Sequence, residues 1–323
     1  MKKLIISGAI FLLLGVSYAA FADVTAYEHS ISQLFSKEIA VTVNRILQDS
    51  EIKTWSQALA WFLGFITIGW SLVTYIKESE IYPFVYVCIL FFIFWFLYAS
   101  YEPIVSGFMD LFIALGGSMY KAAMGNVSGD QIIEAVKKAV SMPTTDIFDS
   151  IDILMVAFLW ELAVAFLSMA VYFADIFVIV GGSLAKIVGI LFLPFIICPW
   201  THGAFNKWCS FFAVFGVFSI FLKITSIIVM VVMRVSINFL ATDGVDQRLV
   251  NVLSQNFTVQ QVLTITDDTA AIGMTAIAYV AVCVALVFMS FSLAKQCVGN
   301  INAGGGVSRG AQKMARVAIK ALL

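Results

Sequence analysis

The chain has 323 residues, of which 61% are hydrophobic and only 12% are charged. Because soluble globular domains average about half apolar and about a quarter charged residues, this composition excludes a soluble globular protein and predicts an integral membrane protein. The net charge of −1 excludes nothing, since charges orient a membrane protein through their positions relative to the bilayer.

Residues 1–22 have the pattern of a secretory signal peptide. Two lysines precede an apolar run, and Ala20-Phe21-Ala22 provides a small-residue cleavage site. The alternative is an uncleaved first transmembrane helix. In both interpretations the following segment, residues 23–54, begins in the periplasm. Its amphipathic pattern over 31–47 suits a helix on the membrane surface, against a partner subunit, or packed inside the protein.

Two apolar runs over residues 55–101 predict a transmembrane hairpin. The first run covers 55–76, the polar turn Lys77–Glu80 follows, and the second run covers 81–101. Each has about the 20 residues that cross a hydrocarbon core of about 30 Å. Aromatic residues lie towards the ends of both runs, as is typical of membrane interfaces.

The segments after the hairpin alternate between polar and apolar. Residues 102–150 have an acidic excess and several glycines, so we expect a periplasmic loop with a short amphipathic helix after a turn at 125–130. Residues 151–233 form the predicted hydrophobic core. A second periplasmic segment, a last transmembrane helix and a tail with five basic and no acidic residues follow; they cover 234–269, 270–294 and 295–323.

The basic tail fixes the expected number of crossings. Lys and Arg near membrane ends are retained in the cytoplasm, so a periplasmic start requires an odd number. Hydropathy offers six segments, and the weakest is 176–199, which contains Gly181-Gly182, Lys186 and two prolines. A broken segment is tolerated at membrane depth when protein surrounds it. We therefore expect an all-α membrane protein with about five transmembrane helices plus a broken or re-entrant segment, which is a re-entrant or distorted continuation of the third transmembrane helix. The six segments are 55–76, 81–101, 151–174, 176–199, 209–233 and 270–294.

The polar stretch 199–208 interrupts the core and predicts a cytoplasmic turn. Prolines stop the preceding helix because they lack a backbone donor, and tryptophans hold a turn at the interface because the ring is apolar and the N–H finds water. His202 and Lys207 are then the exposed contacts. The alternative is that this turn is a docking site. The expected anchors are Pro194, Pro199, Trp200 and Trp208.

The surroundings of this turn resemble the core signature of the TrbL family, in its VirB-six branch. These proteins are polytopic inner-membrane subunits of type IV secretion and conjugation systems. The layout of the mature chain is also similar to that family, whereas His202 stands where the family more often has a basic residue. The matching residues are Gly189, Pro194, Phe195, Pro199, Thr201, Phe205 and Trp208.

The resemblance implies a non-enzymatic channel or scaffold subunit in the bacterial inner membrane. Such a subunit contributes to substrate translocation and to pilus or stalk assembly. The implied partners are pilin, a stalk protein, cytoplasmic ATPases, the substrate in transit and further copies of the chain in a pentameric ring. The alternative is a small-solute transporter. Transporters often contain two matching halves with broken helices at corresponding positions, and here one break is evident, at 181–199.

Four charged residues lie within or beside the predicted transmembrane helices: Glu161, Asp175, Lys186 and Lys223. Each costs roughly 2.5–3.5 kcal/mol on insertion unless it is paired or hydrated. One interpretation is a polar path or a subunit seam. The other is two structural ion pairs, Glu161–Lys223 and Asp175–Lys186.

Two further patterns concern helix faces. Gly181, Ala185 and Gly189 recur every four residues, and such a small-residue face lets helices approach closely in lipid, either within the subunit or between subunits. In the tail, a basic stripe follows a flexible glycine run. It suits anionic lipid or an acidic partner, or else it only fixes topology. The stripe consists of Arg309, Lys313, Arg316 and Lys320.

The sequence contains no motif for a cofactor or a metal site. The two histidines, His29 and His202, are predicted on opposite sides of the membrane, so they cannot form a paired-histidine site. A phosphate-binding glycine loop of the G-x-x-x-x-G-K type is absent. We therefore expect a protein that is not an enzyme and that carries no cofactor.

Overall fold

The computed structural model describes residues 34–79, 81–127, 129–141, 151–240, 252–254, 257–260, 262–264, 267–299 and 309–317. The predicted signal peptide, His29 and Lys320 lie outside these residues. The described part of the chain is helical apart from short connections and two two-residue strands. These strands, β1 (Val140–Ser141) and β2 (Leu263–Thr264), pair in parallel.

Several of the described helices follow one another directly, with one to three residues between them from α1 to α4. Two 3-10 turns, Leu193–Ile196 and Pro199–Thr201, separate the two longest helices. In chain order the helices are α1 (34–48), α2 (Ser50–Glu78), α3 (Tyr82–Ala99), α4 (Tyr101–Met124), α5 (Gly129–Ala139), α6 (Ile151–Phe192), α7 (His202–Leu240), α8 (Asp267–Val298) and α9 (309–317).

Six helical stretches among the described residues are long and apolar enough to cross a membrane. They are α2, α3, α4, Met155–Ile196, Pro199–Asn238 and Met274–Val298. The chain is therefore a multi-pass helical membrane protein, which confirms the prediction from composition.

The predicted loop at 102–150 is wrong for its first half, which is the apolar helix α4. The segment was predicted to be a loop because of its charged residues, but most of these lie after residue 129, beyond the end of α4. Pro103 lies in the first turn of α4, where a proline is tolerated. The amphipathic helix expected after the turn is present as α5, which buries Ile132, Ala135 and Val136.

The predicted break at Gly181-Gly182 is also wrong. Both residues lie inside α6, a continuous helix of 42 residues, about 63 Å long at 1.5 Å per residue. A Cβ at Gly181 would overlap the ring of Phe215, and one at Gly182 would lie 2.7 Å from Met109 Cε. The glycines therefore serve close packing. The helix ends at Phe192, next to the prolines of the 3-10 turns.

The chain forms two compact units, and the long helices contribute to both. Unit 1 contains the described residues within Met1–Phe35, Leu115–Phe177 and Ile220–Leu293. Unit 2 contains the described residues within Ser36–Ala114, Val178–Ser219 and Ala294–Leu323. The predicted amphipathic segment contributes α1, in which Val43 and Leu47 are buried while Leu34 is 61% exposed.

In unit 2, α2 runs in the same direction as the end of α6. The Ser56 hydroxyl donates to the Ile190 carbonyl at 2.7 Å. Further along both segments, the rings of Trp70 and Trp200 meet edge to face with centroids 5.3 Å apart. Residue numbers increase in the same direction along both segments, so the two segments are parallel.

Also in unit 2, α3 and α4 both run opposite to that direction. Tyr98 near the end of α3 donates to the Lys53 carbonyl near the start of α2 at 3.2 Å, as an antiparallel hairpin requires. Tyr101 at the start of α4 donates to the Lys186 carbonyl at 2.5 Å. Later in α4, Met109 lies where a Cβ at the earlier Gly182 would point. The two helices therefore continue in one direction.

The junction of α3 and α4 explains this continuation. Only Ser100 separates them, and it remains bonded on both sides: its N–H donates to Phe96 and its carbonyl accepts from Ile104, each at 3.1 Å. Antiparallel helices need a loop of about 2–5 residues. Pro103 has no N–H to offer the carbonyl four residues earlier, which is a known cause of a kink. We interpret α3 and α4 as one kinked path.

Candidate functional site

A polar stripe on α4 faces a lysine of α6 in unit 2. Glu102, Ser106 and Asp110 are spaced by four residues and so share one face of α4. Lys186 Nζ lies 3.4 Å from Ser106 Oγ, and the charges of Asp110 and Glu102 both act on it. Lys186 is half-buried. A lysine beside Ser106, on the α4 face that also carries Glu102 and Asp110, can line a hydrated strip or hold the two helices together.

The ion pairs predicted for these charges are wrong in their partners. In unit 1, Lys223 Nζ of α7 lies 3.6 Å from Asp175 Oδ1 of α6, and each side chain is about 40% exposed. The hairpin register explains the pairing, because Glu161 lies fourteen residues before Asp175 on α6, about 21 Å along its axis. Asp175, and not Glu161, is therefore the acidic residue that lies across from Lys223 on α6.

The second predicted pair, Asp175 with Lys186, is excluded by helix geometry. The two residues lie eleven positions apart on the continuous α6, about 16 Å along the axis. Lys186 has its acidic neighbours on α4 instead. Glu161 is half-buried in unit 1, and neither Lys223 nor any other described residue forms an ion pair with it within 4 Å.

The small-residue face of α6 packs within the subunit. Ala185 is fully buried, and Gly181 and Gly189 are buried too. A Cβ at Gly189 would overlap the Tyr101 hydroxyl and the Trp208 ring. The sequence left open whether this face packs within the subunit or between subunits. Contacts inside one chain account for all three positions.

Trp208 forms an internal contact instead of an interfacial anchor. Its side chain is 8% exposed, and its indole N–H donates to the Ala185 carbonyl at 2.8 Å. The ring stacks near Phe212, with centroids 5.9 Å apart. Trp208 therefore joins α7 to α6 near their common turn. Trp200, by contrast, is 59% exposed.

The turn between α6 and α7 is closed by its own polar side chains. Thr201 Oγ1 lies within bonding distance of the Phe195 and Cys198 carbonyls, at 3.0 and 2.9 Å. His202 was expected to be exposed, but it is buried, with Nε2 2.8 Å from the Ile196 carbonyl. The reason is that residue 202 begins α7 and folds back over the 3-10 turn. Lys207 is exposed, as expected.

An apolar cavity of about 400 Å³ lies beside this hairpin in unit 2. The Tyr101 hydroxyl and the Trp208 N–H, which border it, already donate to main-chain carbonyls. Apart from the Cys209 thiol, the cavity offers hydrocarbon, so its lining would not recognise a polar solute. Its lining residues are Leu97, Tyr101, Ile104, Val105, Phe108, Leu193, Phe205, Trp208, Cys209, Phe212 and Ala213.

Sequence reasoning missed two contributors to these contacts. Ser106 and Tyr101 were assigned to a loop or to an interface, yet they contact Lys186 through its amine and its carbonyl. The spacing of Glu102, Ser106 and Asp110 was the available signal. The three described basic residues of the tail stripe, Arg309, Lys313 and Arg316, are exposed on α9.

Among the described residues, no group of three or more His, Cys, Asp or Glu side chains is placed to hold a metal ion. Comparison with models of known protein families and with curated proteins finds no match for this chain.

Proposed function

We propose that the protein is a structural channel or scaffold subunit of the inner-membrane complex of a type IV secretion, or conjugation, system. In this proposal it resides in the bacterial inner membrane and contributes to substrate translocation and to pilus or stalk assembly. Its partners are pilin, a stalk protein, cytoplasmic ATPases and further copies of the chain in a pentameric ring. It has no enzymatic activity.

The observation that carries the proposal is the convergence of the residues on which the family resemblance rests. Gly189 and Trp208 occupy one packed contact between α6 and α7. Thr201 binds the Phe195 carbonyl in the turn, and Phe205 packs near Trp208 with ring centroids 5.5 Å apart. A signature whose members contact one another has a physical reason to occur together.

The direction of the helices supports a second part of the proposal, five passes with the chain ends on opposite sides. α2 runs with α6, the kinked path α3–α4 runs against it, and α7 returns from the turn. In unit 1, the strand pair places the residues before α6 and α8 side by side, and Phe177 and Phe291 meet further along at 5.1 Å. In this proposal α8 runs with α6. Five alternating passes fit a periplasmic start and a cytoplasmic tail.

In the proposed channel subunit, the charged groups of α4 and α6 provide polar surface for the translocation path or for contacts between subunits. Lys186 with Glu102 and Asp110 keeps polar groups at membrane depth, where uncompensated charges are costly. These residues are therefore the first candidates for a polar path or subunit seam. The transporter alternative expects two matching halves with broken helices. The sequence showed one such break, at 181–199, and α6 is continuous through the first part of it, to Phe192.

Two measurements on the full-length protein test the proposal. Purification in mild detergent should bring down secretion subunits, identified by mass spectrometry. Deletion of the gene should abolish conjugation or secretion, and the wild-type chain should restore it. Complementation with Lys186→Met should restore protein levels but not secretion, whereas Lys207→Met should restore both. Normal secretion in the deletion strain, with no secretion subunits in the purified sample, would rule the proposal out.

A further inference from the structure

The helix α9 packs along the beginning of α3 in unit 2. Ala311 and Ala315, one turn apart, are both fully buried. They belong to one core cluster with Tyr86, Val87 and Leu90 of α3. The two alanines allow the helices to approach closely, so α9 is a docked part of unit 2.

This contact gives α9 a depth relative to the membrane. Tyr86 and Leu90 lie four and eight residues after Tyr82, the first residue of α3, which corresponds to about 6 and 12 Å along the axis. Tyr82 and Tyr86 stack with centroids 6.4 Å apart, and tyrosine is enriched at membrane interfaces. Interfacial helices lie about 5–10 Å deep at the boundary of headgroups and acyl chains. The depth of α9 fits that boundary.

The outer side of α9 combines positive charge with apolar surface. Arg309, Lys313 and Arg316 are exposed, and residues 295–323 contain no acidic side chain. Met314 and Val317 are also exposed, at 60% and 67%. A lipid surface receives both kinds, because its anionic headgroups attract the charges and its acyl boundary accepts the apolar side chains.

We propose that the exposed face of α9 binds the anionic headgroups of the surrounding bilayer and that this binding holds α9 against α3. The guanidinium and ammonium groups bind phosphate oxygens, while Met314 and Val317 enter the acyl boundary. The inference depends on the membrane location of the chain and on the α9–α3 contact, and it is independent of the secretion function proposed above.

Hydrogen–deuterium exchange of the full-length protein in nanodiscs tests this inference. One set contains phosphatidylcholine only, and the other contains added phosphatidylglycerol. Each basic residue near an anionic surface contributes a factor of about five, so with three such residues the amides of 309–317 should exchange up to about 100-fold more slowly in the anionic discs. High salt should reduce the difference, because it screens exposed charges.

The variant that tests the charges is Arg309→Gln/Lys313→Gln/Arg316→Gln, which should lose the difference between the two lipids. A matched control with the same net charge should keep it: Lys37→Gln/Arg45→Gln/Lys121→Gln, three exposed positions outside α9. Unchanged exchange in α2 and α3 would show that both variants are folded. Equal exchange of 309–317 in the two lipids for the wild-type chain would overturn the inference. The basic face of α9 would then be interpreted as a binding surface for an acidic protein. Retention of the difference in the α9 variant would overturn it as well.

Discussion

The indole N–H of Trp208 donates to the main-chain carbonyl of Ala185 at 2.8 Å. This bond joins the second turn of α7 to the last part of α6, on the two sides of the proline-containing turn. Because Gly189 leaves room for the same ring, the tryptophan fixes both the spacing and the register of the α6–α7 hairpin.

Trp208→Ala should destabilise the protein strongly. Loss of a buried tryptophan costs about 3–5 kcal/mol through lost contacts and the remaining cavity. Lys207→Ala, one residue away and exposed, should leave stability unchanged. Thermal unfolding in detergent and abundance in membranes measure both variants. A well-folded Trp208→Ala protein that fails only to assemble with partners would make the turn a docking site instead.

Gly189→Ala should destabilise the hairpin, although alanine is the better helix former. The added Cβ would overlap the Tyr101 hydroxyl and the Trp208 ring, and such overpacking costs about 1–3 kcal/mol. The matched control is Gly69→Ala in α2, where a Cβ meets nothing within 4 Å. That substitution should be neutral or stabilise by up to about 1 kcal/mol. Equal melting temperatures for the two variants would contradict the close packing of α6 and α7.

Much of the helical architecture was predictable, because apolar runs of sufficient length have few alternatives in a membrane protein. The errors concern residues whose role depends on a distant partner. From the sequence alone, Gly181-Gly182 predicts a break in the helix. In the structure the two glycines are packing positions, because the side chains of Phe215 and Met109 lie against them. The apolar character of α4 was hidden because hydropathy was judged over the whole segment 102–150, which includes the polar residues after α4.

The pair Asp175–Lys223 should be coupled in a double-mutant cycle. Asp175→Asn and Lys223→Met should each lower the free energy of unfolding, and the coupling should be on the order of 1 kcal/mol, since both side chains are partly exposed. The control cycle replaces Asp175→Asn by Glu161→Gln and should give no coupling. Stronger coupling of Lys223 with Glu161 would show that the hairpin register is different. Denaturant or thermal unfolding of the four proteins in each cycle provides the measurement.

The sequence identified the charged members of the site on α6 and α7, but neither their pairing nor the contributions of Tyr101 and Ser106 on α4. Four charges at membrane depth are visible in the sequence, and so is the family resemblance around Trp208. Which charges meet depends on the length of the turn between α6 and α7 and on the helix rise, which together place Asp175 opposite Lys223. Likewise, the burial of His202 follows from the 3-10 turn that brings it back to the Ile196 carbonyl.

A topology map with paired periplasmic and cytoplasmic reporters tests the five-pass account most directly. Fusions after residues 80, 205 and 310 should all report the cytoplasm, and fusions after residues 127 and 255 should report the periplasm. The reason is that α3 and α4 continue in one direction through Ser100 and so make a single pass. If α3 and α4 crossed separately, the fusions after residues 80 and 205 would lie on opposite sides, and that result would contradict the account.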